Sequence, residues 1–62
     1  MAHTYAVTVR REGGWWMVDI PELDGLTQAR SLGEGETMAR EWIALTVDRP
    51  IEEIAVNVTV EQ

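Results

Sequence analysis

The order of hydrophobic periods along this chain predicts a small α+β domain, β-β-β-α-β, a partial sheet with one helix on one face. Three observations carry that expectation. Residues 4–10, 15–20 and 55–60 alternate or extend with a two-residue period, as strands do. The stretch after Ser31 repeats its apolar residues at three- and four-residue steps, as helices do. Glycines and prolines at 13, 14, 21, 25 and 50 punctuate the chain where such elements should end.

Taken in order, Tyr5, Val7 and Val9 fall on one side of the first strand and Thr4, Ala6, Thr8 and Arg10 on the other. Arg11-Glu12-Gly13-Gly14 is a polar turn whose glycines tolerate positive φ, and Trp15-Trp16-Met17-Val18-Asp19-Ile20 resumes the extended pattern, so the two form a hairpin. Pro21 ends the second strand because it has no N–H for a ladder bond, and Glu22-Leu23-Asp24-Gly25 has turn chemistry, with Gly25 free to adopt a left-handed conformation. Residues 26–30 leave room for a short third strand. Ser31 with Glu34 three residues on has the form of a capping box. Leu32, Gly35, Ala39, Trp42, Ile43 and Thr46 make the apolar stripe of the helix, while Glu34, Arg40, Glu41 and Asp48 fall elsewhere. Gly33 and Gly35 each cost the first turn roughly 1 kcal/mol relative to alanine, so that end frays or is held by packing. Pro50 forbids continuation beyond about Asp48. In the last strand Val56, Val58 and Val60 share a face. A meander of three strands, a helix crossing one face and a right-handed return place the fourth strand parallel to the first.

The whole of residues 1–62 reads as a single domain, without internal repeat or linker. Eleven acids against five arginines and no lysine give a formal charge of −6 and a pI near 4.4. Such a chain is on balance repelled by a phosphate backbone, so no direct nucleic-acid binding is expected and a basic protein is the better electrostatic match. The absence of cysteine excludes disulfides, thiolate zinc sites and cysteine nucleophiles together. A domain this small has a marginal core unless a metal, a disulfide or another copy of itself adds stability, which points to a homo-oligomer. No apolar run is long enough to span a bilayer, and Met1-Ala2-His3-Thr4 lacks the layout of a signal peptide, so the expected location is cytoplasmic.

Candidate chemistry is sparse. His3 is the lone histidine and reads as a solvated side chain, since metal sites need several convergent ligands. Asp19, Glu22 and Asp24 cluster at a turn, but their spacing fits no calcium loop, and the first strand brings no carboxylate to complete a two-metal nuclease. Ser31 is the only serine and is accounted for as a cap. Gly33 and Gly35 are followed by Glu36 where a phosphate loop needs lysine. No catalytic residue, cofactor or metal is therefore expected, and the protein is read as a non-enzyme.

Trp15 and Trp16 carry more information. Adjacent in a strand, they point to opposite faces. Trp16, Val18 and Ile20 form the more continuous apolar row and are assigned beneath Trp42 and Ile43 of the helix. Trp15 and Met17 are left without cover, an apolar patch of the kind that meets another chain. They are the candidates for self-association; the alternative is that Trp15 lies flat against a loop or the N-terminal segment.

The run Gly13 to Gly25, with Trp15-Trp16 followed by Pro21-Glu22-Leu23-Asp24-Gly25, then Thr27, Ser31 and the helix from Glu34 to Leu45, resembles the N-terminal domain of HicB-family antitoxins. The resemblance covers about residues 5 to 60. It implies a partial ribonuclease-H-like fold without nuclease activity, assembled as a dimer or larger, that neutralises a small basic mRNA-cleaving HicA-like toxin of a bacterial type II toxin-antitoxin system. On that reading Glu22 and Asp24 are the toxin-contact candidates. Family members commonly continue into a DNA-binding segment, whereas this sequence stops at Gln62. Operator binding by this chain alone is accordingly not expected. The alternative is a solitary oligomeric scaffold or small-ligand-binding domain with no toxin partner.

Overall fold

The computed structural model describes residues 3–61, so Met1, Ala2 and Gln62, with the expectation about the leader that partly rests on them, lie outside the described residues. Strand β1 (Thr4–Glu12) pairs antiparallel with β2 (Trp15–Ile20), β2 pairs antiparallel with β3 (Gly25–Ala29), helix α1 (Leu32–Val47) crosses one face, and β4 (Ala55–Glu61) lies parallel to β1. The sheet order is β3-β2-β1-β4. This is the α+β arrangement and the β-β-β-α-β order that the hydrophobic periods predict.

The hairpin is tighter than its sequence suggests. β1 runs through Arg11 and Glu12, which pair with Trp16 and Trp15, leaving only Gly13-Gly14 as the loop. Gly13 takes φ +62 while Gly14 does not have positive φ, the sign pattern of a II′ turn with glycine at its first central position. Its twist matches that of the flanking strands.

At the β2–β3 corner Gly25 does not use the left-handed freedom its sequence allows. Pro21–Leu23 forms one 3₁₀ turn, and it is Asp24 that adopts the left-handed conformation, φ 54, with its N–H donating to the Pro21 carbonyl at 3.1 Å. Gly25 instead begins β3, buried beneath the indole of Trp42: a Cβ there would lie 2.5 Å from the ring carbon Cη2 and under 3.0 Å from its two neighbours. The glycine serves close approach of helix to sheet.

The helix starts as expected. Ser31 is extended, its Oγ accepts from the Glu34 N–H at 3.1 Å, and the Glu34 carboxylate accepts from the Arg30 N–H at 3.3 Å, one residue upstream of the usual capping-box donor. Gly35 is buried, with the site of its missing Cβ 3.3 Å from Val18 Cγ2, so the first turn is held by packing. Gly33 faces open space. Two residues of the expected stripe lie outside it: Leu32 and Thr46 are exposed, and the Thr46 hydroxyl donates back to the Trp42 carbonyl at 2.9 Å. Asp48, φ 57, caps the C-terminus, and the Arg49 N–H donates to the Ala44 carbonyl at 3.1 Å, a bond of the Schellman type. A second 3₁₀ turn, Ile51–Glu53, delivers the chain to β4.

Val7, Val9, Val18, Ile20, Ala29, Ala39, Ile43 and Ile54 form the buried core, with Trp16, Met38, Trp42, Val56 and Val58 packed around it. The folded surface of 4300 Å² compares with about 10,000 Å² for an unfolded chain of this mass, so roughly 60% is buried. That proportion leaves a thin margin of stability.

Candidate interaction surface

Residues opposite one another in neighbouring strands share a face of the sheet. Val9 pairs with Val18 and Val18 with Thr27, and this row lies under Gly35 of α1. The neighbouring rows therefore point away from the helix: Thr8 with Asp19 and Leu26, Arg10 with Met17 and Gln28, and Glu12 with Trp15. On the β4 side Asn57, Thr59 and Glu61 continue them beside Ala6, Thr8 and Arg10. Trp16 is half-buried on the helix side and Trp15 is 44% exposed on the other, as the alternation requires.

The uncovered face mixes apolar and charged positions: Arg10 and Asp19 stand on the two central strands, Trp15 at the hairpin end and Leu26 on the edge strand β3. Trp15 and Leu26, the latter 58% exposed, flank a half-buried Met17. The Arg30 guanidinium carbon stands 5.8 Å from the Trp15 ring centroid, giving that indole a cationic neighbour. Arg10 Nε donates to Glu12 Oε2 at 2.8 Å. That hydrogen bond and the charge of Glu12 push the Arg10 pKa above its ordinary value, with smaller contributions from Glu61 and Asp19, which marks these acids as its neighbours. Leu26 is the member that sequence reasoning left unassigned. The signal was present, since Leu26 and Gln28 alternate with Thr27 and Ala29.

The four candidate residues do not converge. Trp15 begins β2 beside the hairpin loop, whereas Glu22 and Asp24 follow its other end, separated from Trp15 by the length of the strand, about 20 Å at ~3.3 Å per residue. Met17 lies between them. Glu22 is engaged within the chain: its Oε2 is 2.6 Å from His3 Nε2, so His3 is a partnered side chain, packed edge-on against Tyr5 at 4.5 Å between centroids. Glu22 and Asp24 are both exposed.

Two further features lie elsewhere. A shallow cleft of about 690 Å³ is bordered by Tyr5, Val47, Arg49, Glu53 and Ile54, and the Arg49–Glu53 pair at 3.4 Å sits on its wall. On the outer surface of α1, Leu45 is 85% exposed, one turn from both Glu41 and Asp48. Among the described residues no three histidine or carboxylate groups gather as a metal site would require, and no helix is long and apolar enough to cross a membrane.

No family model, no curated protein and no solved structure matches this chain. The class that the fold and this surface define is a one-helix α+β domain with an open sheet face.

Proposed function

We propose that this chain is a non-enzymatic, antitoxin-like interaction module of the cytoplasm, one that assembles with copies of itself and neutralises a small basic mRNA-cleaving toxin by covering its catalytic or RNA-binding surface. The observation that carries the reading is the uncovered sheet face, which presents Trp15, Met17 and Leu26 with no helix over them among the described residues. Aromatic anchors of this kind supply most of the energy of an interface, and charged rims chiefly steer encounter. A net charge of −6 favours a basic partner. The resemblance of about residues 5 to 60 to HicB-family antitoxins supports a HicA-like toxin as that partner. Glu22 and Asp24, exposed beside the first 3₁₀ turn, remain the proposed toxin contacts.

The test has two parts. Trp15→Ala should lower the assembly mass in sedimentation and leave the far-ultraviolet spectrum intact, because the side chain stands outside the core. An unchanged mass refutes self-association through this face. The chain should also co-purify with the product of an adjacent small basic reading frame and stop its cleavage of RNA. Self-assembly without such a partner or such inhibition favours the solitary-scaffold reading instead.

A further inference from the structure

β4 is an outer strand of the sheet, and among the described residues no strand pairs with its free edge. Proteins normally guard such edges with proline, lysine, a bulge or very short length. The seven residues Ala55–Glu61 carry no proline and no lysine, and the only charge is Glu61 at the last position. Their register with β1 runs unbroken from Thr4 opposite Ala55 to Arg10 opposite Glu61, so no bulge turns the edge aside. β3, at the other edge, has five residues and begins at the glycine closed under Trp42.

We infer that the free edge of β4 pairs with β4 of a second copy, antiparallel about a two-fold axis through Val58, joining two four-stranded sheets into one. The segment Val56-Asn57-Val58-Thr59-Val60 has the same apolar and polar pattern read in either direction, and Val58 is the midpoint of the strand. An axis there sets Val58 opposite itself, Val56 opposite Val60, Asn57 opposite Thr59 and Ala55 opposite Glu61. Every strand residue gains a partner, as an isologous contact requires. The valines lie on the helix side, since Val58 neighbours Val7 and Val60 neighbours Val9 of the core. Val60, left 40% exposed in one copy, is then covered by Val56 of the other. A one-residue slip would bring the second helix to the opposite face and set valine against asparagine or threonine, which fixes the register. The one charge on the strand, Glu61, falls opposite Ala55, so the pairing sets no like charges opposite each other despite the acidity of each chain. The inference rests on the strand edge and stands or falls apart from the toxin reading.

Charge reversal across the seam tests it. In the full chain carrying Trp15→Ala, which takes the open face out of play, sedimentation equilibrium should find a dimer of the 7.0 kDa chain. Adding Asn57→Lys with Thr59→Lys puts like charges opposite each other twice, while Asn57→Lys with Thr59→Glu puts opposite charges there. Both positions are exposed, so the fold is retained. The dissociation constants of these two variants should differ by about tenfold or more, the first being the weaker. In the wild-type chain, outward-facing amides of residues 55–61 should lose exchange protection on dilution. A monomeric Trp15→Ala chain, equal dissociation constants for the two charge variants, or concentration-independent exchange along β4 overturns the inference.

Discussion

Replacing Gly25 with alanine should destabilise the domain, and the cause can be isolated by a second substitution. The added Cβ would fall 2.5 Å from Trp42 Cη2, 2.7 Å from Cζ3 and 2.8 Å from Cζ2, against the ~3.5–4.0 Å of ordinary carbon contacts. The three atoms belong to the six-membered ring of the indole, so the ring must withdraw by about 1 Å, lifting that side of α1 from β3. Overpacking of this kind costs about 1–3 kcal/mol. A chain of 62 residues holds only about 3–9 kcal/mol in all, so a loss of ~2 kcal/mol should lower Tm by roughly 8–16 °C. Trp42→Phe removes the outer ring atoms and makes room. On that background Gly25→Ala should cost less than about 0.5 kcal/mol, or even stabilise, because alanine is favoured over glycine by roughly 0.5–1 kcal/mol within a strand. Urea titrations of the four chains, followed by circular dichroism at one fixed protein concentration, give the coupling energy directly. Equal costs of Gly25→Ala on the two backgrounds would refute the close-approach account of this glycine.

Two other substitutions probe the helix start and the hairpin. Gly33→Ala, at a helical site with nothing within 4 Å of the new methyl, should stabilise by about 0.5 kcal/mol, whereas Gly13→Ala, forced to keep φ +62, should cost about 1 kcal/mol; thermal melts of the pair compare the two signs. Ser31→Ala removes the acceptor for the Glu34 N–H and should cost about 1 kcal/mol in urea titration, with Ser31→Asp restoring most of it.

The open face also explains how so small a domain could keep a tryptophan in water. A single helix covers only one side of the sheet, and the alternation of β2 sends one of two adjacent indoles to each side. Each indole has an arginine beside it, Arg11 at 5.6 Å from Trp16 and Arg30 at 5.8 Å from Trp15. These contacts shield part of each ring and leave Trp15 free to be buried by another chain.

The order of elements, the assignment of Trp16, Val18 and Ile20 to the helix side, the Ser31 cap and the exposure of Trp15 were all legible in the sequence. Each follows from short-range geometry: a two-residue period, a 3.6-residue period, or a cap three residues from its donor. Tertiary structure alone decided that Asp24 rather than Gly25 takes the left-handed conformation, because the need for a glycine at 25 comes from Trp42, distant along the chain. It likewise paired His3 with Glu22 and closed Gly25 under Trp42. Those outcomes depend on which segments become neighbours, and the hydrophobic pattern within a segment does not encode its neighbour's side chains.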